Sequence, residues 1–420
     1  MDINSLLKVS KCPCGRDHAC NIEAVFVESG AISRLSTLCR ENKSILIVAD
    51  ENTYKAAGDK VECTLGDKSI SRVIFSGETV LIPNEYAIER VMGGIDDADL
   101  ILGIGSGVIQ DLCKYISHVT KIPYIIVATA PSMDGYASSG AAMILNGMKE
   151  TVAAGVPKAI VADIDIIKNA PLDMIKAGYG DIVGKFSALA DWRLAAFVRG
   201  EYLCEYIYKT TSDMIDATLS SAEGLLHGDE QSIKLLTEAL MAVGVMMSFA
   251  GSSRPASGSE HHLSHFFEIM GIISGEEYFA HGIDVAYSTV ITSMIREKIS
   301  KSEIPSVAYR PTSEEYTEAM QKIYGPVADG CIALQDRVGL YSEDRLQKYK
   351  EKEREIGVLF SSLPSSDEIV SMLKAVEIDM ADFYKLYGEE KIQNAIAYAK
   401  DLKDRYSVLW MNYDLFAGKL

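Results

Sequence analysis

The sequence predicts an α/β domain built on a parallel sheet, followed by an all-helical domain, and three observations carry that expectation. Short apolar runs recur from Ala24 to about residue 165, each followed by a polar turn and a helix-forming stretch. One of these runs enters a glycine-rich turn, DLILGIGSGVIQDLCKY, that opens an amphipathic helix. Beyond KAIVADIDIIKNAP the pattern changes from strands to long helices and stays helical to the end. Strands that alternate with helices imply a parallel sheet with helices on its faces. The change of pattern around Asp163 to Lys168 divides the chain into residues 1–165 and 166–420.

The 420 residues are 48% hydrophobic and 24% charged, the balance of an ordinary globular protein. A net charge of −18 argues against nucleic acid or an anionic membrane as the main partner, because both require a basic footprint. The start, MDINSLLKVSKCPCG, lacks the apolar core of a secretory signal, and no later run suggests a membrane span, so a cytoplasmic protein is expected. The eight cysteines mostly stand singly among apolar residues, as reduced core thiols do. CPCGRDHAC is the exception. Its Cys12, Cys14, His18 and Cys20 lie close enough in sequence to hold a metal, yet the spacing is not that of a standard zinc finger, and a strand-edge hairpin is the competing reading.

In the α/β part, SILIVA (44–49), RVIF (72–75), Leu100 to Leu102 and YIIV (124–127) read as buried strands. Gly103, Gly105 and Gly107 stand between strand and helix, where absent side chains admit a pyrophosphate to the helix N-terminus. A tight turn without ligand fits the same glycines. Asp50, ending the first strong strand, is placed to accept hydrogen bonds from an adenosine ribose, which favours NAD over NADP. ATAPSMDGYASSGAAMI offers small and hydroxyl residues around Asp134, suited to a nicotinamide or substrate and equally to a loop with a hairpin.

Histidine concentrates in GSSRPASGSEHHLSHFFEIMGIISGEEYFAHG, which contains four of the seven. His261 and His265, four residues apart, share a helix face, whereas His262 points elsewhere. His281 precedes a glycine at which the chain is expected to bend and return its imidazole to the first pair. Satisfied core or surface histidines remain the plain alternative. Two imidazoles on a divalent ion call for a carboxylate as third ligand.

GSGVIQDLCK, TAPSMDGYASS, VADIDIIKNAP, AGYGDIVGKFSALADW, RPASGSEHHLSH and AHGIDVA together resemble the sn-glycerol-1-phosphate dehydrogenase family, particularly its bacterial form. That family groups with glycerol dehydrogenases, iron-type alcohol dehydrogenases and dehydroquinate synthase. The resemblance implies a dehydroquinate synthase-like fold with an N-terminal dinucleotide-binding domain. It implies a cofactor site at Gly105, Ser106, Gly107, Asp111, Thr129 and Ser132 for NAD(H) or NADP(H), to which the strand-end reading adds Asp50. It implies a zinc or nickel ion on Asp181, His261 and His281, Asp134 on the substrate side, and His265 near the metal or handling protons. The implied reaction reduces dihydroxyacetone phosphate to sn-glycerol 1-phosphate, a phospholipid precursor, in a homodimer. A polyol dehydrogenase acting on unphosphorylated substrate is the alternative. Arg254 and Lys185 are phosphate candidates by nearness in sequence, and each fits a structural ion pair equally well.

Overall fold

The computed structural model describes residues 2–420. A short antiparallel pair, β1 (Lys8–Val9) with β2 (His18–Ala19), precedes the main sheet. The main sheet contains β3 (Ala24–Glu28), β4 (Ser44–Asp50), β5 (Ser69–Phe75), β6 (Leu100–Gly105), β7 (Tyr124–Ala128) and, after a hairpin of β8 (Gly140–Leu145) and β9 (Met148–Ala153), β10 (Ala159–Asp163). Its order is β3-β10-β7-β6-β4-β5, parallel throughout.

The strands form because they can be buried on both faces. Every residue of β6, β7 and β10 is buried, as the unbroken apolar runs require. On one face Ile45, Ile47, Leu102, Ile104, Ile125, Val127 and Val161 pack with Ala57, Val61 and Leu65 of α1 (Glu51–Leu65). α2 (Glu85–Met92) and α3 (Gly107–Thr120) supply further crossovers.

The helical part opens with α4 (Leu172–Arg199), α5 (Glu205–Leu219) and α6 (Glu230–Ala250). It continues with α7 (Ser259–Ser274) and α8 (His281–Ser300), then a run of shorter helices that includes α9 (Met380–Tyr398) and ends with α10 (Val408–Phe416). The charged stretch that follows Ser342 forms two helices, Leu346–Glu351 and Glu353–Ser361. α6 has the length and hydropathy of a membrane span, but most of it is buried inside the protein.

Two compact units emerge, one comprising the chain up to Ile182 with Lys209–Ser253, the other Val183–Tyr208 with Arg254–Leu420. The compact units divide within α4 and α5. The reason lies in α6, which packs on the α/β part: a side chain at its Gly244 would meet Asp134 O at 2.7 Å and Ala137 Cβ at 3.0 Å. In the second unit the Asp191 carboxylate accepts from the backbone N–H of Ser259 at 2.6 Å and of Val408 at 2.7 Å, tying α4 to the starts of α7 and α10.

Candidate active site

α7 sets the first two imidazoles. His261 and His265 stand one turn apart on the helix, with ring centroids 6.0 Å apart. His281 begins α8 and lies 5.0 Å from His261 and 5.6 Å from His265, centroid to centroid. The expected bend at Gly282 is made instead at Ala280 (φ −55°, ψ 143°), and Gly282 lies inside the first helical turn. The extended residue ahead of the helix is enough to aim His281, so the glycine is not needed for the turn.

Asp181 belongs to α4, which runs on unbroken through Arg199, so the helix itself fixes the carboxylate relative to the residues that follow. One ligand atom each from Asp181, His261 and His281 lies within 4.8 Å of the others. In a tetrahedral site with bonds of about 2.0–2.2 Å, donors stand about 3.4 Å apart, so the three fit a borderline divalent ion after small adjustments. Three protein donors leave a fourth position for a reacting oxygen. Asp181 is fully buried, and His281 is the most exposed of the set.

Sequence reasoning missed the group that orients His261. Its Nδ1 donates to Glu260 Oε1 at 2.7 Å, which leaves Nε2 to face an ion. Glu260 Oε1 also accepts from Gly258 N–H at 2.8 Å. Burial pushes the Glu260 carboxyl up to about 7, opposed by that N–H and by the charge of Lys185. The available signal was a glutamate directly before the histidine pair in GSEHH. Ser264 Oγ lies 3.4 Å from His281 Nδ1 and donates to His281 O at 3.4 Å. His262 is fully enclosed, and burial holds it well below the usual imidazole range, so it remains neutral.

The second part of the site lies at the carboxyl ends of the strands. β4 leads outward to β5, and the chain then crosses to the other side of β4 to make β6. The order therefore reverses between β4 and β6, where ligands of open parallel sheets bind. Asp50 ends β4 and Gly105 ends β6 on adjacent, registered strands. Thr129, just beyond β7, donates its N–H to Gly105 O at 3.2 Å. Ser106 precedes α3 without a side-chain hydrogen bond to the helix, so the first-turn N–H groups are not covered by its hydroxyl.

The glycines divide by role. A side chain at Gly103 would strike Ile126 and Cys113, and one at Gly105 would lie 2.6 Å from Ile109, so both serve close packing of strand and helix. At Gly107 the nearest atom would be 3.5 Å away, on Met133. This is the glycine that leaves room at the helix N-terminus.

Asp134 is held by its own backbone. Its N–H donates to Asp181 Oδ2 at 3.0 Å, linking the loop 129–134 to the carboxylate of the candidate metal group. The loop is gripped at Gly178 of α4, where a Cβ would sit 1.7 Å from Pro131 O. Ser132 is partly exposed on this loop.

A family model for iron-containing alcohol dehydrogenases matches residues 26–171. A glycerol-1-phosphate dehydrogenase (NAD(P)+) of Geobacillus thermodenitrificans is 30% identical over 382 residues, 89% of this chain and 88% of the relative. The chain belongs to the glycerol-1-phosphate dehydrogenase family. The enzyme of the same name from Methanosarcina acetivorans is 38% identical over 319 residues, 74% of this chain and 84% of the relative. The fold is also that of a probable glycerol dehydrogenase from Sinorhizobium meliloti, at TM-score 0.55 and 19% identity, covering 86% of this chain and 97% of that one.

Within this glycerol-1-phosphate dehydrogenase family member, some expected site residues also carry structural duties. Asp50 Oδ1 accepts from Thr53 N–H at 2.9 Å and caps α1, leaving its other oxygen for further bonds. Asp111 lies 3.5 Å from Lys114 Nζ, and burial raises its carboxyl pKa against the pull of that ammonium. Arg254 pairs with Glu201 through Nε at 2.6 Å and through Nη2, and donates from Nη1 to Tyr406 O at 2.8 Å. Lys185 is buried one turn beyond Asp181.

Proposed function

We propose that the protein interconverts dihydroxyacetone phosphate and sn-glycerol 1-phosphate, using NAD(H) or NADP(H) and one zinc or nickel ion. The observation that carries this reading is the Asp181, His261 and His281 donor set, in a chain whose relatives bear that activity in their names. When bound, the cation supplies Lewis-acid stabilisation of charge on the ketone oxygen, and the nicotinamide supplies the hydride.

The chain's own groups do the positioning. Asp181, His261 and His281 hold the ion, with Glu260 and Ser264 fixing the two rings. Gly105, Ser106, Gly107, Asp111, Thr129 and Ser132 are assigned to the cofactor, with Asp50 on its ribose. Asp134 orients a substrate hydroxyl. His265, with its ring within 5.6 Å of that of His281, is assigned to passing the proton. Arg254, which pairs with Glu201, and Lys185 are the candidates for the phosphate. In this reading residues 1–165 bind the cofactor and residues 166–420 the metal and substrate, in a cytoplasmic homodimer that supplies a phospholipid precursor.

The test compares reduction of dihydroxyacetone phosphate with that of dihydroxyacetone, after chelation and metal add-back, with chiral analysis of the product. The expected result is metal-dependent formation of sn-glycerol 1-phosphate and a strong preference for the phosphorylated ketone. Equal rates on both ketones would instead make the protein a polyol dehydrogenase.

A further inference from the structure

A second group of metal donors lies at the N-terminus. The loop between β1 and β2 carries Cys12 and Cys14, and His18 opens β2. The loop is shaped by left-handed backbone at Lys11 (φ 56°) and Gly15 (φ 83°), by Gly15 N–H donating to Cys12 O at 2.9 Å, and by Lys11 N–H donating to Asp17 Oδ1 at 2.6 Å. His18 is buried and its ring stacks on Phe249 of α6, centroids 5.2 Å apart and planes 19° apart, which fixes the plane of its donors. Cys14 Sγ stands 3.3 Å from His18 Nε2.

The fourth member comes from nearly two hundred residues away. Cys204 is buried, and its carbonyl accepts the first bond of α5, from Tyr208 N–H at 2.9 Å. One ligand atom each from Cys12, Cys14, His18 and Cys204 lies within 4.8 Å of the others. Cys20, which the spacing of CPCGRDHAC suggests, faces another way, with its thiol 3.8 Å from Ala137 O.

We infer that Cys12, Cys14, His18 and Cys204 bind a structural zinc ion. A tetrahedron with Zn–S of about 2.3 Å and Zn–N of about 2.0–2.1 Å has edges of about 3.6–3.8 Å, inside the 4.8 Å that bounds the separations of these four atoms. Three thiolates and an imidazole select zinc over hard cations, and four protein ligands close the sphere, so the site fastens the chain and leaves no position for substrate. Binding releases the three thiol protons as the thiolates form. The donor sets differ in kind: sulfur here, none in Asp181, His261 and His281.

That difference supplies the test. The full-length protein is loaded with cobalt(II) in place of its native metal, and the absorption of thiolate-to-cobalt charge transfer is read alongside metal content by mass spectrometry. Two ions per chain are expected from the two donor groups, with a charge-transfer band that survives in H261A. C204S and C14S, each of which removes one of the three thiolates, are expected to weaken the band and to lower the metal content towards one ion, and C20S to keep both. In the zinc-loaded protein Cys12, Cys14 and Cys204 resist alkylation until denaturing chelation. A wild-type protein without the band overturns the inference whether or not any variant folds. So does a band unchanged in C204S, or a disulfide among the three cysteines.

Discussion

The grip of α4 on the loop beneath the cofactor end of the sheet predicts a large effect from one methyl group. In Gly178→Ala the new Cβ would lie 1.7 Å from Pro131 O, and real Cβ atoms essentially never approach closer than 3.0 Å. Helix and loop must therefore separate by at least ~1.3 Å, because the obstructing atom is backbone and cannot rotate aside. Overpacking of this kind costs ~1–3 kcal/mol. Gly178 stands one turn before Asp181, and the loop carries Asp134, whose N–H bonds to Asp181. The displacement thus reaches Asp181 and Asp134 together, the residues proposed to hold the metal and the substrate hydroxyl, and a misplacement of about 1 Å lowers rates by ~100-fold. Steady-state reduction of dihydroxyacetone phosphate, metal content and urea unfolding measure the three consequences. Gly357→Ala is the control: no atom lies within 4 Å of its Cβ, and in its helix alanine is favoured by up to ~1 kcal/mol. If Gly178→Ala matches wild type within threefold in rate and is equally stable, the proposed coupling of α4 to the loop is wrong.

Glu260→Ala removes the acceptor of His261 Nδ1 and should weaken metal binding by ~10–100-fold, read by titrating the chelated protein with zinc; unchanged affinity would deny Glu260 its orienting role. Lys114→Met strands Asp111 and the carbonyls of Gly135 and Gly140, which its Nζ contacts at 3.0 and 2.7 Å; a loss of ~3–5 kcal/mol in urea unfolding is expected, and under 1 kcal/mol would contradict it. Burial, with Glu260 beside it, pushes the Asp191 carboxyl up to about 6, against about 3.9 in the unfolded chain. The folded state therefore binds the proton more tightly, so this group's contribution to stability is full below pH ~4 and falls by up to ~3 kcal/mol as pH rises to ~6. Asp191→Asn should lose that part of the decline, and an identical pH slope in both proteins would refute the assignment. Asp50→Ser keeps a cap for α1 while removing the charge; a roughly tenfold shift of kcat/KM from NADH toward NADPH is expected, and no shift would remove Asp50 from the ribose site.

The parallel sheet was legible because a strand buried on both faces must be apolar throughout, and SILIVA, YIIV and AIVA are. The turn at Gly105 to Gly107 was legible for the same local reason, although which glycine packs and which leaves room depended on Ile109 and Met133. The bend before His281 was misplaced by one or two residues, since an extended Ala280 serves as well as a glycine. Asp181 reached the candidate site through resemblance, because no spacing rule connects it to histidines 80 and 100 residues onward.

By itself the sequence determined what depends on near neighbours: which stretches of the parallel sheet are strands, where α3 starts, and that His261 and His265 share a face. Only the tertiary structure decided which distant groups meet. It brought Cys204 rather than Cys20 to the hairpin cysteines, set Glu260 against His261, and pressed Gly178 and Gly244 onto the Asp134 loop. Local pattern fixes the direction of a side chain relative to its own helix or strand. The partner at the other end of that direction is chosen by how whole elements pack, and packing depends on surfaces contributed by the entire chain.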